Sequence, residues 1–239
     1  MRKLLAGIGA LALLAASPVV ANASSLSVSP TTIDLTAPEA ASTIGLTNNG
    51  SKPVTVQLRV FRWSQVNGKE KLTATNDVVA SPPVTKMQPG KDYTVRIVRT
   101  SKKPIAGEET YRVLVDEVPV KSQAKPGVVG FIIRHSIPVF FGSADGAGPD
   151  VKWAVAKSAS GASLVVQNAG DGRLKLTDLN LSQNGKALVN RQGLIGYVLG
   201  GSTMTFPLGK VKGLGSSPLV VKASSQNGPL TAKAAVSSR

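Results

Sequence analysis

Val128–Val129–Gly130–Phe131–Ile132–Ile133–Arg134–His135–Ser136–Ile137–Pro138–Val139–Phe140–Phe141 decides the fold. The run is rich in β-branched and aromatic residues and reads as one long strand. Its alternation fails in the first half, where Phe131, Ile132 and Ile133 are all apolar. A strand buried on both faces explains this, and so does a strand with one face reserved for a partner. Directly after it comes Gly142–Ser143–Ala144–Asp145–Gly146–Ala147–Gly148–Pro149–Asp150, a Gly/Pro-rich break that reads as an interdomain linker.

Upstream, Val, Ile, Leu and Thr alternate with polar residues, and Gly, Pro and Asn clusters interrupt them roughly every 8–15 residues. Thr43–Thr47 precedes the turn signal Asn48–Asn49–Gly50–Ser51. Val54–Trp63 alternates cleanly and leads to Asn67–Gly68, a hairpin-type turn. Ser81–Pro82–Pro83–Val84 is extended and rigid, Pro89–Gly90 turns into Tyr93–Arg99, and Tyr111–Pro119 follows. Leu26–Pro30 opens the series as an edge-type segment, because proline donates nothing to a central ladder. Downstream, strands are expected at Val151–Val155, Ser163–Gln167, Lys175–Leu181, Lys186–Leu188, Thr203–Leu208, Pro218–Lys222 and Thr231–Ala235. No amphipathic helix is predicted. The pattern gives an all-β chain of two immunoglobulin-like sandwiches; a single large barrel is the alternative, against which the linker composition argues.

The first 25 residues carry a different message. Arg2 and Lys3 head an apolar run from Leu4 to about Ala16, and Ala21–x–Ala23 supplies small residues for cleavage. This predicts a secretory signal, residues 1–23, removed after Ala23; the apolar run is short for a membrane span. Removal leaves 216 residues, 239 minus 23, with no cysteine, which suits a bacterial envelope protein held by packing alone. The expected organisation is a first domain over 24–142, a linker over 143–150 and a second domain over 151–239.

Composition narrows the function. The net charge is +15, or +13 once Arg2 and Lys3 are removed. Such a surface attracts acidic partners or anionic envelope components. The basic residues are scattered, however, and aromatics make up only 4% of the chain, so no nucleic-acid footprint is read. One histidine, His135, and 13 scattered acids offer no metal cluster and no catalytic triad. Asp116 and Glu117 are adjacent and would point to opposite faces of a strand. There is no Gly-x-Ser-x-Gly elbow, Walker loop or dinucleotide fingerprint. The chain reads as a non-enzyme without metal or cofactor, and His135 as a surface or interface imidazole. A structural or adhesive Ig-like envelope protein is the alternative; its halves should resemble each other, and here they do not.

Taken in order, Asn48–Asn49–Gly50, Ser81–Pro82–Pro83–Val84, Pro89–Gly90 with Arg96, Tyr111–Arg112–Val113–Leu114 with Glu117–Val118–Pro119, Arg134–x–Ser136–Ile137–Pro138–Val139–Phe140 and Leu164–Gly170 resemble the periplasmic chaperones of the chaperone–usher pilus pathway. These form the PapD-like superfamily, and the likeness is greatest to the archaic, Csu-type branch. The resemblance implies two Ig-like domains in an L-shape, a periplasmic location, pilus subunits and an outer-membrane usher as partners, and no ATP. It also implies donation of the long strand to subunits that lack one.

On alternation, Val129, Phe131 and Ile133 are the expected donor set, with Val128, Gly130 and Ile132 packing on the chain's own core. An unprotected edge of this kind can also pair with a second copy. The family anchors the subunit's C-terminal carboxylate with basic residues between the domains. This chain has Thr32 and Pro138 where better-known members carry that arginine and lysine. Arg112 and Arg134 are the expected substitutes, with His135 a weaker candidate; a guanidinium binds a carboxylate bidentately. The usher-facing patch of the family corresponds here to Pro82, Pro83, Arg96, Val118 and Pro119.

Overall fold

The computed structural model describes residues 26–118 and 133–238. Among these residues there are seventeen strands and no helix.

The first sandwich packs two layers, antiparallel except for one parallel pair. One contains β1 (Leu26–Ser29), β3 (Ala41–Asn48), β8 (Asp92–Arg99) and β6 (Val78–Ser81), in the order β1-β3-β8-β6. The other contains β2 (Ile33–Thr36), β10 (Arg134–Gly142), β9 (Glu108–Val118), β4 (Val54–Val66) and β5 (Lys69–Ala74), with β7 (Val84–Met87) also on β4. The first segment changes layers at Pro30, between β1 and β2, where a missing N–H costs no ladder bond. Strict alternation builds the core. Ile44, Leu46, Val95 and Ile97 from one layer meet Val56, Leu58, Val113, Val115, Ile137, Val139 and Phe141 from the other. Each fully buried side chain of this kind is worth about 1.5–3 kcal/mol.

The second sandwich is formed by β11 (Val151–Ser158), β12 (Gly161–Asn168), β13 (Leu174–Gln183), β14 (Lys186–Val198), β15 (Thr203–Gly209), β16 (Leu219–Ser225) and β17 (Gly228–Ser238). They run β14-β13-β16-β17-β11-β12-β15 around a separate core that includes Val155, Leu164, Leu176, Leu179 and Val221. β14 extends ten residues beyond the expected Lys186–Leu188. The pairing of β13 with β14 is irregular, with register shifts at Thr177 and Leu181, and Gly193 and Gly196 take φ of 78° and 154°. Bulges like these erase simple alternation.

Residues 143–150 carry no strand, yet they are packed. Ser143 N donates to Gly107 O at 2.8 Å, and Ala169 N donates to Asp150 O at 2.7 Å. A Cβ on Gly170 would lie 2.3 Å from Gly148 O, so only glycine fits where the turn after β12 meets this segment.

Candidate functional site

β10 is the element to which both candidate sites belong. Its second half, Val139–Gly142, is paired on both sides, parallel to β2 at Ile33–Thr36 and antiparallel to β9. Among the described residues its first half, Arg134–Pro138, pairs only with β9. Along the strand Ile137, Val139 and Phe141 face the sandwich core, whereas Arg134 and Ser136 are exposed on the other side.

Ile133 directly precedes this strand and is half-buried; by alternation it belongs to the core-facing, odd-numbered set. Val129 and Phe131 lie outside the described residues, as do Val128, Gly130 and Ile132, the set expected to pack inward. Within β10 itself the inward side is the odd-numbered one. His135 is on that side, opposite Val115, and its Nε2 is enclosed without a hydrogen-bond partner.

Where β10 passes between the sandwiches, Phe140 turns away from the first core and joins Trp63, Tyr197 and Leu199 in a third buried cluster. Trp63 meets Tyr197 edge-on at 5.4 Å and Phe140 at 5.9 Å. Trp63 is thus buried between the sandwiches and not in the core of either one. Polar contacts fix the approach. Gln65 Nε2 donates to Tyr197 O and Leu199 N donates to Gln65 Oε1, both at 2.9 Å, so one amide imitates a rung of sheet. Arg173 of the second sandwich stacks 3.6 Å over Phe140 and pairs with both Glu108 and Asp34 of the first. Burial pushes the Glu108 carboxyl up, and the Arg173 guanidinium opposes that only in part.

Beside this cluster lies a cleft of about 390 Å³. The first sandwich contributes Thr32, Arg112, Ser136 and Pro138 to its walls, and the second contributes Lys175 and Tyr197. The Arg112 guanidinium sits 3.7 Å over the Trp63 ring and 5.7 Å from that of Tyr197, with Glu70 at 3.5 Å from its Nη2. Burial lowers its pKa from an ordinary arginine value and Glu70 opposes the shift; a guanidinium stays charged nonetheless.

Arg134 is not in this cleft. It starts β10, roughly 13 Å along the strand from Pro138, and donates from Nε to Asp116 Oδ1 at 2.5 Å. Arg59 Nη2 takes the other oxygen of Asp116 at 2.6 Å. Burial pushes the Asp116 carboxyl up, but the bonds from Arg134 and Arg59 together hold it below the usual carboxylate range. The structure therefore places Arg112 and Arg134 on one face of the sheet, with separate partners. Lys175 and Tyr197 carried no signal in the sequence, because β13 and β14 reach the cleft only through the packing of the two sandwiches.

Pro82, Pro83 and Arg96 fall together. Arg96 is exposed and opposite Ser81, and Pro83 O accepts from Leu58 N at 2.7 Å. Val118 is exposed at the end of β9, opposite Thr55, which is itself opposite Lys86 of β7. Pro119 lies outside the described residues.

Residues 25–143 match the family model for pili and flagellar-assembly chaperones, PapD N-terminal domain. No curated protein sequence matches the chain significantly. Among solved structures, it is similar to a chain of the CsuC–CsuE chaperone–tip adhesion subunit pre-assembly complex from the archaic chaperone–usher Csu pili of Acinetobacter baumannii. Identity there is 26%, the TM-score is 0.69, and the match covers 90% of this chain and 100% of that one. The CupB2 chaperone of Pseudomonas aeruginosa (18% identity, TM-score 0.57, 88% and 100% covered) shares the fold. So does the Salmonella enterica structure of SafA pilin with the SafB chaperone (18%, 0.59, 87% and 95%). With the family match over the first sandwich and a likeness across both sandwiches to a chain of the Csu chaperone–subunit complex, this all-β chain of two Ig-like sandwiches belongs to the PapD-like family of pilus-assembly chaperones.

Proposed function

We propose that the chain binds pilus subunits in the periplasm by donor-strand complementation and passes them to an outer-membrane usher. The observation that carries this reading is the half-paired β10, whose Arg134–Pro138 segment has one edge of backbone donors and acceptors unpaired among the described residues. An open edge of this kind accepts a partner strand, and apolar side chains leading into it fill the partner's groove. Val129, Phe131 and Ile133 are the donor residues in this reading, and self-pairing through the same edge is the resting alternative.

Arg112 takes the subunit's C-terminal carboxylate in the cleft. Arg134, at the other end of the same face, contacts the subunit body. Pro82, Pro83, Arg96, Val118 and Pro119 face the usher; rigid prolines present a preformed surface at little entropic cost. Residues 1–23 are removed on export, and 24–142 and 151–239 act as two domains joined by 143–150. The work is binding, driven by burial, with no catalysis and no ATP.

The test is co-purification from the periplasm with a pilin-like subunit encoded beside the chain. Wild type should give a soluble one-to-one complex, and the double variant Phe131→Asp, Ile133→Asp should give none. A complex indifferent to the double variant would refute the strand assignment, and the absence of any complex would refute the chaperone reading.

A further inference from the structure

The cleft holds a second cation that faces Arg112 from the other sandwich. Lys175 lies on β13 between Leu174 and Leu176, which are both buried in the second core, so its own side chain points outward to the interface. It is paired across the sheet with Tyr197, whose ring lies 5.7 Å from the Arg112 guanidinium. Lys175 and Arg112 line the same cleft. The Lys175 ammonium has no ion pair among the described residues. The carboxylate that lines this cleft, Asp178, already accepts a hydrogen bond from Gly193 N at 2.8 Å. Arg112 is only loosely engaged: Glu70 stands at the outer limit of hydrogen-bond distance and is half exposed, and a guanidinium has five N–H donors. The cleft thus carries two cations with spare donors against one lining carboxylate, Asp178, which is exposed and turned to the Gly193 amide, and such an excess of positive charge takes an anion.

We propose that Lys175 is the second half of the carboxylate site, so that the C-terminal carboxylate of a bound subunit is held between Arg112 of the first sandwich and Lys175 of the second. This rests on the reading of the chain as a subunit chaperone. Thr32 and Pro138 line the same cleft without charge, so positive charge enters from across the interface instead. The site then exists only while the sandwiches are docked. The Gln65 amide, the Arg173 bridge and the Trp63–Phe140–Tyr197 cluster become part of subunit binding without touching the subunit.

The experiment uses complexes of the full-length mature chain with the pilin-like subunit encoded beside it, and with the same subunit lengthened by two glycines at its C-terminus. Lys175→Met should weaken the complex about tenfold, and Lys175→Arg should restore it. The melting temperature of the free Lys175→Met protein should match wild type. With the lengthened subunit, which moves the carboxylate and leaves the chaperone intact, wild type and Lys175→Met should bind equally weakly. If Lys175→Met binds as wild type while Arg112→Met is weakened, Lys175 is no part of the site and the carboxylate reading stands without it. If neither substitution nor the lengthening matters, the carboxylate reading itself falls. A wild-type chain that forms no complex overturns both.

Discussion

The two halves of β10 differ in sequence and in fate: Arg134–His135–Ser136 opens the strand with polar side chains, and Val139–Phe140–Phe141 ends it with apolar ones. Val139–Gly142 lies between β2 and β9 with its ladder complete on both sides. Among the described residues, Arg134–Pro138 has β9 on one side and no strand on the other. The closed half belongs to the chain's own core, where Val139 and Phe141 are fully enclosed. The open half is flanked by exposed Arg134 and Ser136. A strand that is core at one end and edge at the other is rigidly presented, because the buried end fixes its register. Preorganisation of this kind lowers the ordering cost of binding.

The sharpest way to break the comparison is to put one charge at each end. Val139→Asp places a carboxylate in a fully enclosed, apolar site and should destabilise the fold by more than about 4 kcal/mol, enough to leave little native protein. Ile133→Asp, at the half-buried entry to the open end, should leave the denaturation midpoint close to wild type while abolishing subunit capture. Urea titration of both variants decides the matter. A fold that tolerates Val139→Asp, or one that collapses with Ile133→Asp, would mean that the two ends are not energetically distinct.

Much of this was legible in the sequence, for a definite reason. Ile44 and Leu46, Val95 and Ile97, or Val113 and Val115 alternate because one face of each strand is buried and the other wet, and that period needs no tertiary knowledge. Strands without such a contrast were lost. All of β5, Lys69–Ala74, is exposed, and the second half of β14 runs through Asn190–Arg191–Gln192–Gly193 with bulges on its partner. Arg112 could be named because it sits within a recognisable string of residues, whereas Lys175, Tyr197 and Gln65 meet only when two separately folded cores dock. Local sequence carries no period for that. The parity of the long strand was not legible either: the even-numbered Val128, Gly130 and Ile132 were expected to pack inward, whereas in β10 the odd-numbered Ile137, Val139 and Phe141 do so, because the apolar run Phe131–Ile133 shows no contrast between faces.

Acid should act unequally on the two ends. At the closed end Glu109, opposite Phe141, accepts from Arg99 Nε at 2.8 Å and Nη2 at 2.9 Å. The Arg99 bonds, helped by the Tyr111 hydroxyl and working against burial, hold its carboxyl below the usual range. At the open end Asp116, opposite Arg134, is held low in the same sense. A depressed carboxyl binds fewer protons in the folded state than in the unfolded one. It therefore contributes stability above the ordinary carboxylate pKa of about 4, and that stability is lost as pH falls through the folded value. The Arg99–Glu109 pair is almost enclosed, with side chains 8% and 14% exposed, so salt should barely screen it. Glu109→Gln should flatten the acid limb of the stability curve at both low and high salt. Asp116→Asn should flatten it less, and mainly at low salt. Equal, salt-independent effects would contradict the difference in enclosure.

The smallest effect belongs to Arg134→Gln. Its side chain is 57% exposed, and Asp116 keeps Arg59 when Arg134 is gone, so the carboxylate is not orphaned. An exposed pair of this kind adds little to stability. The thermal midpoint should not move measurably, and the acid limb should shift less than with Asp116→Asn. Any loss in subunit binding would then report contact with the subunit, because the strand beneath is unchanged. That loss should fade with added salt, as expected for an exposed charge that no apolar surface shields. A clear drop in the thermal midpoint would show instead that Arg134 pins the open half of β10 to β9, and that this end depends on its surface charges to remain a strand at all.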